Sequence, residues 1–260
     1  MVYLMVEQQF AKYPWCQRAI RGIFEEVRKR RIHVQEVSEL PGGAEERSCV
    51  LLVGASEEWI NQTARGAGSL GLHPIVLSNR ETNSSGLSVS SVKMDIHSSM
   101  ELAVDYLRTL GRERLALFGV NPSASSDPWR ARRFGELTGR EGDVFFLGSS
   151  VNEIFDQFYE KIHRYDGVIC ASDYAAVSLV GRLREKNYAI PEKLYVVGYG
   201  DMFLSRLFRP SITSISDDYE SFGKAALAIC AMMEKNDAFS VVSVKLKSRL
   251  HIRETTENRP

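Results

Sequence analysis

The segment between residues 166 and 219 constrains the fold of this chain more than any other part of the sequence. Two short apolar runs, residues 167–171 and 194–199, are separated by an amphipathic stretch with helical spacing. This order predicts a strand, a helix and a second, parallel strand. Open parallel sheets bind ligands just beyond the carboxyl ends of their strands. Four residues stand at those positions in this segment: Ser172, Asp173, Gly200 and Asp201.

The alternation of strands and helices extends over most of the chain. Most predicted strands are short, continuous apolar runs, which is typical of strands covered on both faces of a parallel sheet. We expect residues 204–216 to be mostly irregular and residues 242–252 to form strands exposed on one side. The pattern as a whole predicts an α/β fold. The predicted strands are residues 3–6, 33–37, 50–53, 74–77, 115–119, 143–147, 167–171 and 194–199.

The charge balance weighs against direct binding of nucleic acid by this sequence. It contains 33 basic and 33 acidic residues, whereas a chain that holds phosphate backbones usually carries a basic excess or a clustered basic face. The run from Arg28 to Arg31 is the exception. It closes a predicted helix, where cations suit the helix dipole, so a solvated helix end is the better interpretation.

The cysteines and the amino-terminal sequence indicate the cellular compartment in which the protein is expected. Four cysteines are widely spaced and form no CxxC pair, so they are expected to be buried, reduced thiols: Cys16, Cys49, Cys170 and Cys230. No signal segment and no apolar run of membrane-spanning length is present. The sequence therefore predicts a cytoplasmic protein without membrane contact, or a chain whose leading part has been removed.

The common catalytic and cofactor motifs do not support an enzyme. The glycines from Gly66 to Gly71 match GxGxxG, but they end a predicted helix instead of opening one after a strand. The histidines have no metal-ligand spacing. Asp217 and Asp218 are adjacent, so their side chains point apart, and a helix start there favours capping. We therefore expect no catalytic activity, no cofactor and no metal.

Polar and aromatic residues collect beyond the predicted strands, in a mixture that suits a sugar. Sugar sites combine an aromatic face with planar donors and carboxylate or amide acceptors. Trp15 or Trp129 would supply the face, Arg132 the donors, and Asn79 or Asp217 the acceptor. Two alternatives stay open, namely Asp173 as a helix cap and one arginine of the 130–133 group as a surface cation. The candidate ligand-binding residues are Tyr13, Trp15, Asn79, Trp129, Arg132, Ser172, Asp173, Gly200, Asp201 and Asp217.

Several longer segments resemble the effector-binding core of LacI/GalR-family transcription regulators and their periplasmic sugar-binding relatives. They are PWCQRAIRGIFEEVRKRRI, MDIHSSMELAVDYLRTLGRERLALFG, RARRFGEL, DGVICASDYAAVSLVGRLREKNYAIPEKLYVVGYGD and RPSITSISDDYESFGKAALAICAMM. The resemblance covers about residues 3–254. It implies a periplasmic-binding-protein-like type I fold, in which two Rossmann-like lobes with parallel sheets are joined by three crossovers and hold the effector between them.

The resemblance also implies boundaries for the lobes. The first lobe would comprise residues 1–95 and 219–238, and the second residues 96–216 and 240–254. Residues 255–260 would form a frayed tail. The family's helix-turn-helix domain is absent from this sequence, so operator DNA would be bound only through a domain outside it.

Roles for individual residues come from the same resemblance. Pro14-Trp15 matches a loop whose aromatic residue stacks on the ligand, and Arg132 is matched to the arginine of an Arg-Leu-Ala-Gly-Phe signature that clamps the effector. Asp217 stands where a Gln or Asp near the last crossover contacts ligand. The sequence departs from the family at Ser172, where Asn is common, and at Gly200, where a ligand-binding Asp is common. These losses make an ordinary hexose a less certain effector.

The function implied is that of a sensing domain of a bacterial transcription regulator. A sugar or sugar derivative would close the lobes of a homodimer and so control DNA binding elsewhere in the protein. The alternative is a solute-binding protein of a sugar transport system, against which the cysteine usage and the missing signal segment argue.

Overall fold

The computed structural model describes residues 1–79, 89–124, 126–148, 151–235 and 241–257. The chain forms two units. Unit 1 consists of residues 1–94 and 218–246, and unit 2 of residues 95–217 and 247–260. The chain therefore passes from one unit to the other three times, at residues 94–95, 217–218 and 246–247. Each unit contains one six-stranded sheet with helices, and the predicted α/β fold is confirmed.

Unit 1 is built on a fully parallel sheet. Its strands are β1 (Val2–Val6), β2 (Val34–Glu36), β3 (Cys49–Val53), β4 (His73–Ser78), β5 (Ser90–Met94) and β11 (Ser243–Leu246), in the order β11-β5-β4-β3-β1-β2. Its helices are α1 (Pro14–Arg30), α2 (Glu57–Ser69) and α8 (Ser221–Lys235). All five residues of β3 are buried, as expected of a central strand covered on both faces.

Helices α1 and α8 of unit 1 cross at two glycines. A Cβ atom on Gly22 would lie 2.1 Å from the carbonyl oxygen of Glu220, and one on Gly223 would lie 2.3 Å from that of Gly22. Only residues without a side chain allow backbones to approach so closely. Next to this crossing, Arg18 binds Glu220 through two nitrogen–oxygen contacts of 2.8 Å.

Unit 2 is built on a sheet with one antiparallel edge. Its strands are β6 (Leu115–Val120), β7 (Val144–Phe146), β8 (Gly167–Cys170), β9 (Tyr195–Tyr199), β10 (Thr213–Ser216) and β12 (Arg249–His251), in the order β12-β10-β9-β8-β6-β7. β12 is antiparallel to β10, and the other pairs are parallel. Its helices are α3 (Ile96–Thr109), α4 (Asp127–Thr138), α5 (Val151–Glu160), α6 (Asp173–Glu185) and α7 (Phe203–Leu207).

Three sequence-based expectations differ from the structure. Residues 204–216, expected to be irregular, contain most of α7 and all of β10, whose four residues are buried. Residues 240–254 were assigned to the second lobe, but β11 pairs with β5 of unit 1. Residues 255–257 are not frayed, because Thr255 is fully buried and its hydroxyl donates to the carbonyl of Val196 at 2.7 Å. Residues 258–260 lie outside the described residues.

No helix within the described ranges combines the length and the hydropathy that crossing a bilayer requires.

Candidate functional site

Helix α4 brings a buried ion pair to the carboxyl edge of the sheet in unit 2. The helix starts shortly after β6 ends, and Asp127 and Arg130 are each 8% exposed. The guanidinium Nη1 of Arg130 donates to Oδ1 of Asp127 at 2.8 Å. The other carboxylate oxygen of Asp127 accepts from the backbone N–H of Asn121 at 3.0 Å. The ion pair is therefore anchored to the loop that follows β6.

The same guanidinium lies on an aromatic ring that belongs to β9. The Cζ atom of Arg130 is 3.7 Å from the ring centroid of Tyr199. The hydroxyl of Tyr199 donates to Oδ1 of Asp217 at 2.6 Å, and the hydroxyl of Ser248 donates to the same oxygen at 2.7 Å. Residues from α4, β9 and the segments after β10 and before β12 thus form one network. We call it the Arg130 cluster: Asp127, Arg130, Tyr199, Asp217 and Ser248.

The electrostatics of the cluster keep Arg130 charged despite its burial. Burial by itself would lower the pKa of the guanidinium, but attraction to Tyr199, Asp217 and Asp127 outweighs that effect and raises the pKa above its ordinary value. Burial also raises the pKa of Tyr199 to about 12, so its hydroxyl keeps its proton and remains a donor. The Nε–H of Arg130 is buried and has no hydrogen-bond partner in the described part of the chain.

Arg132, the arginine expected to clamp the effector, lies on the opposite side of α4. Its side chain is 71% exposed, and its Nε donates to Glu136 one turn later at 3.0 Å. Trp129 is also exposed, at 47%. Positions 127, 130 and 134 share the buried face of the helix, since they are spaced by three and four residues. The structure therefore favours Arg130 over Arg132 for contact with a ligand.

The signature that suggested Arg132 fits Arg130 better when its register is counted from the phenylalanine. In Arg-Leu-Ala-Gly-Phe the arginine precedes the phenylalanine by four positions. Phe134 is fully buried in α4, and four positions before it stands Arg130. The matching segment is then Arg130-Ala131-Arg132-Arg133-Phe134, which agrees with the signature at its first and last residues and departs from it at the three between them. The sequence contained this signal.

Ser172 and Asp173 hold unit 2 together at the end of β8. Ser172 is the N-cap of α6, and its hydroxyl accepts from the backbone N–H of Ala175 at 3.2 Å. Asp173 is fully buried and accepts from the hydroxyl of Ser214 and the backbone N–H of Met202, both at 2.6 Å. Burial raises the pKa of Asp173, and these hydrogen bonds oppose the rise. Asp173 thus joins three segments of the unit, and the helix cap expected of it is supplied by Ser172 instead.

Gly200 and Asp201 form the turn after β9. Gly200 has a φ of +121° and Asp201 a φ of +47°. The first value lies in a region that side chains rarely adopt, so this turn favours glycine at position 200. Asp201 binds the guanidinium groups of Arg206 and Arg253, and its Oδ2 lies 3.6 Å from Nε2 of His251. Burial works to raise the pKa of Asp201, but the two arginines outweigh it and hold the pKa below its usual value.

In unit 1, the candidates lie after β1 and after β4. Trp15 is 8% exposed at the start of α1, and its ring centroid lies 6.1 Å from that of Tyr219 and 6.2 Å from that of Phe10. Tyr13 is exposed. Asn79 follows β4, and its side-chain oxygen is buried without a hydrogen-bond partner among the residues that the structure describes.

Glu7, at the end of β1, has a role that the sequence did not reveal. Its side chain is buried and accepts from the backbone N–H groups of Ala55 and Ser56, at 2.9 and 3.0 Å. These groups precede α2, so the carboxylate satisfies free donors at the helix start and suits its dipole. The hydroxyl of Ser56 and the amide of Gln9 also contact Glu7. No residue pattern before or after Glu7 indicates this packing.

The two six-stranded sheets with their helices define the class of protein, an α/β protein of two units. The family model for the periplasmic binding protein-like domain matches residues 104–256, and the chain belongs to that family.

Two similar curated proteins are transcription regulators by name. The chain is 29% identical over 119 residues to the HTH-type transcriptional regulator RegA of Clostridium saccharobutylicum, across 46% of this chain and 32% of the relative. It is 31% identical over 111 residues to the arabinose metabolism transcriptional repressor of Halalkalibacterium halodurans, across 41% and 30%. The alignments thus span about a third of the length of these curated relatives.

The solved structures support the fold over the whole chain. A LacI family transcriptional regulator from Enterococcus faecalis V583 with bound ribose has a TM-score of 0.67 and 19% identity, and the alignment covers 100% of both chains. A LacI transcriptional regulator from a Rhodococcus species has a TM-score of 0.69 and 22% identity, with 98% of both chains covered. The resemblance to LacI/GalR-family regulators drawn from the sequence is confirmed.

Proposed function

We propose that this chain is the effector-sensing domain of a bacterial transcription regulator and that its effector is a sugar or a sugar derivative. The Arg130 cluster is the observation that carries the proposal. It places a charged, buried guanidinium at the carboxyl edge of a parallel sheet, where such folds bind ligands, and leaves its Nε–H without an acceptor in the described part of the chain. A sugar hydroxyl is an acceptor that fits this donor.

Each unit also carries other candidates of the residue types that bind polyols. Asp217 presents a buried carboxylate, and Asn79 presents a buried amide oxygen without a partner in the described ranges. Trp15 offers an indole for the apolar face of a sugar ring. Two similar proteins also support a sugar as the effector, since one is named for arabinose metabolism and one solved regulator contains bound ribose. The exposed residues Arg132 and Trp129 are weaker candidates.

A transport receptor is the second candidate, and the comparisons disfavour it. The curated relatives reported above are transcription regulators, so we propose a cytoplasmic protein that acts on operator DNA through a domain outside this sequence. For the same reason we propose that it is not an enzyme. The lobe closure expected from the family resemblance stays a prediction.

A homodimer is part of the proposal, and α7 offers a surface for it. Phe203 and Leu207 of this short helix are 73% and 58% exposed, and Tyr174 at the start of α6 is 63% exposed. Phe203 and Leu207 are four residues apart and so lie on one side of the helix, and exposed apolar side chains that lie together are typical of interaction sites. We expect Phe203→Ser with Leu207→Ser to yield monomers in sedimentation velocity at concentrations where the wild type dimerises. Phe146→Ser, which removes a similarly exposed ring from β7, should leave the dimer intact.

The sugar proposal is tested by a thermal-shift screen of pentoses, hexoses, disaccharides and sugar phosphates. A ligand at 100 times its dissociation constant stabilises the folded state by about 2.7 kcal/mol, which is readily measured as a rise in melting temperature. At least one sugar should produce such a rise. Stabilisation by none of them, at millimolar concentrations, would contradict the proposal.

A further inference from the structure

A cavity of unit 1 lies at the end of the sheet opposite to the proposed effector residues. It measures about 590 Å³ and is lined in part by His73 and Pro74, the first two residues of β4. Asn79 follows the other end of this strand. A strand rises about 3.3 Å per residue, so about 17 Å separates the first and last residues of β4. The cavity is therefore distinct from the proposed effector site.

The inner wall of the cavity is apolar and belongs to the core of unit 1. Ala64 of α2, Leu72 and Met233 of α8 line the cavity and are buried. Gly68 also lines it, and a Cβ atom on Gly68 would meet no atom within 4 Å. The absent side chain thus leaves space beside the buried wall. Small-molecule sites have volumes of about 300–1,000 Å³ and mostly apolar walls, and this cavity has both properties.

The polar side chains at the cavity offer hydrogen-bond donors. Arg65 and His73 line it, and neither side chain forms an ion pair or a hydrogen bond within the described ranges. Ser90 is buried there, and its hydroxyl accepts from the backbone N–H of Val242 at 3.0 Å, so its own O–H can donate. None of the ten described residues that line the cavity is acidic. The guanidinium charge therefore favours an anion as the ligand.

We propose that this cavity is a second ligand site, which binds a small organic acid as its carboxylate. The carboxylate accepts hydrogen bonds from the guanidinium of Arg65 and from His73. A short hydrocarbon body lies on the buried wall at Leu72 and Met233, where it is removed from water. An inorganic anion would leave this wall uncovered, and a neutral compound would leave the guanidinium without a counter-charge. The two features together select an anion with an apolar body.

Hexanoate is a probe with both features, and NMR of the chain labelled with ¹³C at the methionine methyl groups measures its binding. Met233 reports on the cavity, and the spectrum of Met233→Leu assigns its resonance. We expect hexanoate at millimolar concentrations to shift the Met233 resonance and to leave that of Met202, in unit 2, unchanged. Hexanamide keeps the hydrocarbon without the charge, and inorganic phosphate keeps the charge without the hydrocarbon. Each should bind at least about 10-fold more weakly than hexanoate.

Two variants and a matched control test the two features of the cavity. Arg65→Gln should weaken the binding of hexanoate by at least about 10-fold. Arg28→Gln removes another exposed cation of unit 1 that does not line the cavity, so it should leave the affinity unchanged. Gly68→Leu places a side chain in the cavity and should abolish binding. Gly68 is exposed on α2 and leucine favours a helix more than glycine does, so the variant should keep the fold.

Four results would each overturn the proposal. They are an unshifted Met233 resonance in wild type with hexanoate, equal affinity for hexanamide or phosphate, unchanged affinity in Arg65→Gln, and equal shifts of all methionine resonances, which would indicate unspecific binding. The first readout comes from wild-type protein, so it does not depend on how the variants fold. The measurement does not involve the Arg130 cluster and is independent of sugar binding.

Discussion

The substitution Arg130→Met removes the cation at the centre of the Arg130 cluster while keeping most of the volume of the side chain. Asp127 then loses its 2.8 Å partner, and Tyr199 loses the guanidinium 3.7 Å from its ring centroid. Breaking a buried ion pair by removing one member costs about 3–5 kcal/mol, because the remaining charge is left uncompensated. For a chain of this size, about 1 kcal/mol corresponds to about 2–4 °C in melting temperature. The expected loss is therefore on the order of 10 °C.

Differential scanning calorimetry of the ligand-free chain measures this loss, and Arg132→Met is the matched control. Arg132 is two positions away on the same helix, but its side chain is 71% exposed, so its removal should leave the melting temperature unchanged. Adding Asp127→Asn to Arg130→Met neutralises the stranded carboxylate. The double variant should lose less than the sum of the two single losses by at least about 1 kcal/mol. Equal melting temperatures for the Arg130 and Arg132 variants would refute the reasoning.

Two further predictions concern packing and pH. Gly22→Ala should lower the urea midpoint by an amount equivalent to about 1–3 kcal/mol, because the new Cβ would meet the carbonyl of Glu220. Gly68→Ala is the control: nothing lies within 4 Å of its new Cβ, so it should raise the free energy of unfolding by about 0.5–1 kcal/mol. The opposite ranking of the two variants would contradict the close crossing of α1 and α8. The pKa of Asp201 is depressed in the folded state. The ionised carboxylate therefore stabilises the fold fully above the unfolded-state pKa of about 4, and this stabilisation is lost as the pH falls through the lower folded-state pKa. Urea midpoints of wild type and Asp201→Asn should therefore differ at pH 6 and converge below pH 4, whereas a constant difference would count against the ion pairs.

The fold was largely predictable because most strands are continuous apolar runs, such as β3 and β9. β10 was not, since its sequence Thr213-Ser214-Ile215-Ser216 reads as polar although all four residues are buried. Its hydroxyls are satisfied inside the unit, as Ser214 donates to Asp173 at 2.6 Å. Burial of serine and threonine depends on partners that are distant in sequence, so local patterns do not indicate it.

The site was predictable in part. Asp217 and an arginine of the 130–133 group were candidates from the sequence, but β10, the strand that precedes Asp217, was not predicted. Matching Arg132 to the family signature left out the helical spacing of Asp127, Arg130 and Phe134, which distinguishes Arg130 from Arg132. Asp173 and Glu7 accept hydrogen bonds from residues that are distant in the sequence. No local sequence pattern predicts these contacts.

Isothermal titration with the sugar that stabilises the chain most tests the central claim directly. Arg130→Lys keeps the positive charge, and with it the fold, but loses the planar fork of donors. A hydrogen bond to a charged group contributes about 1.5–3 kcal/mol, so the affinity should fall by about 10- to 100-fold relative to wild type, while Arg132→Met binds like wild type. Unchanged affinity in Arg130→Lys, or loss of binding only in Arg132→Met, would contradict the account.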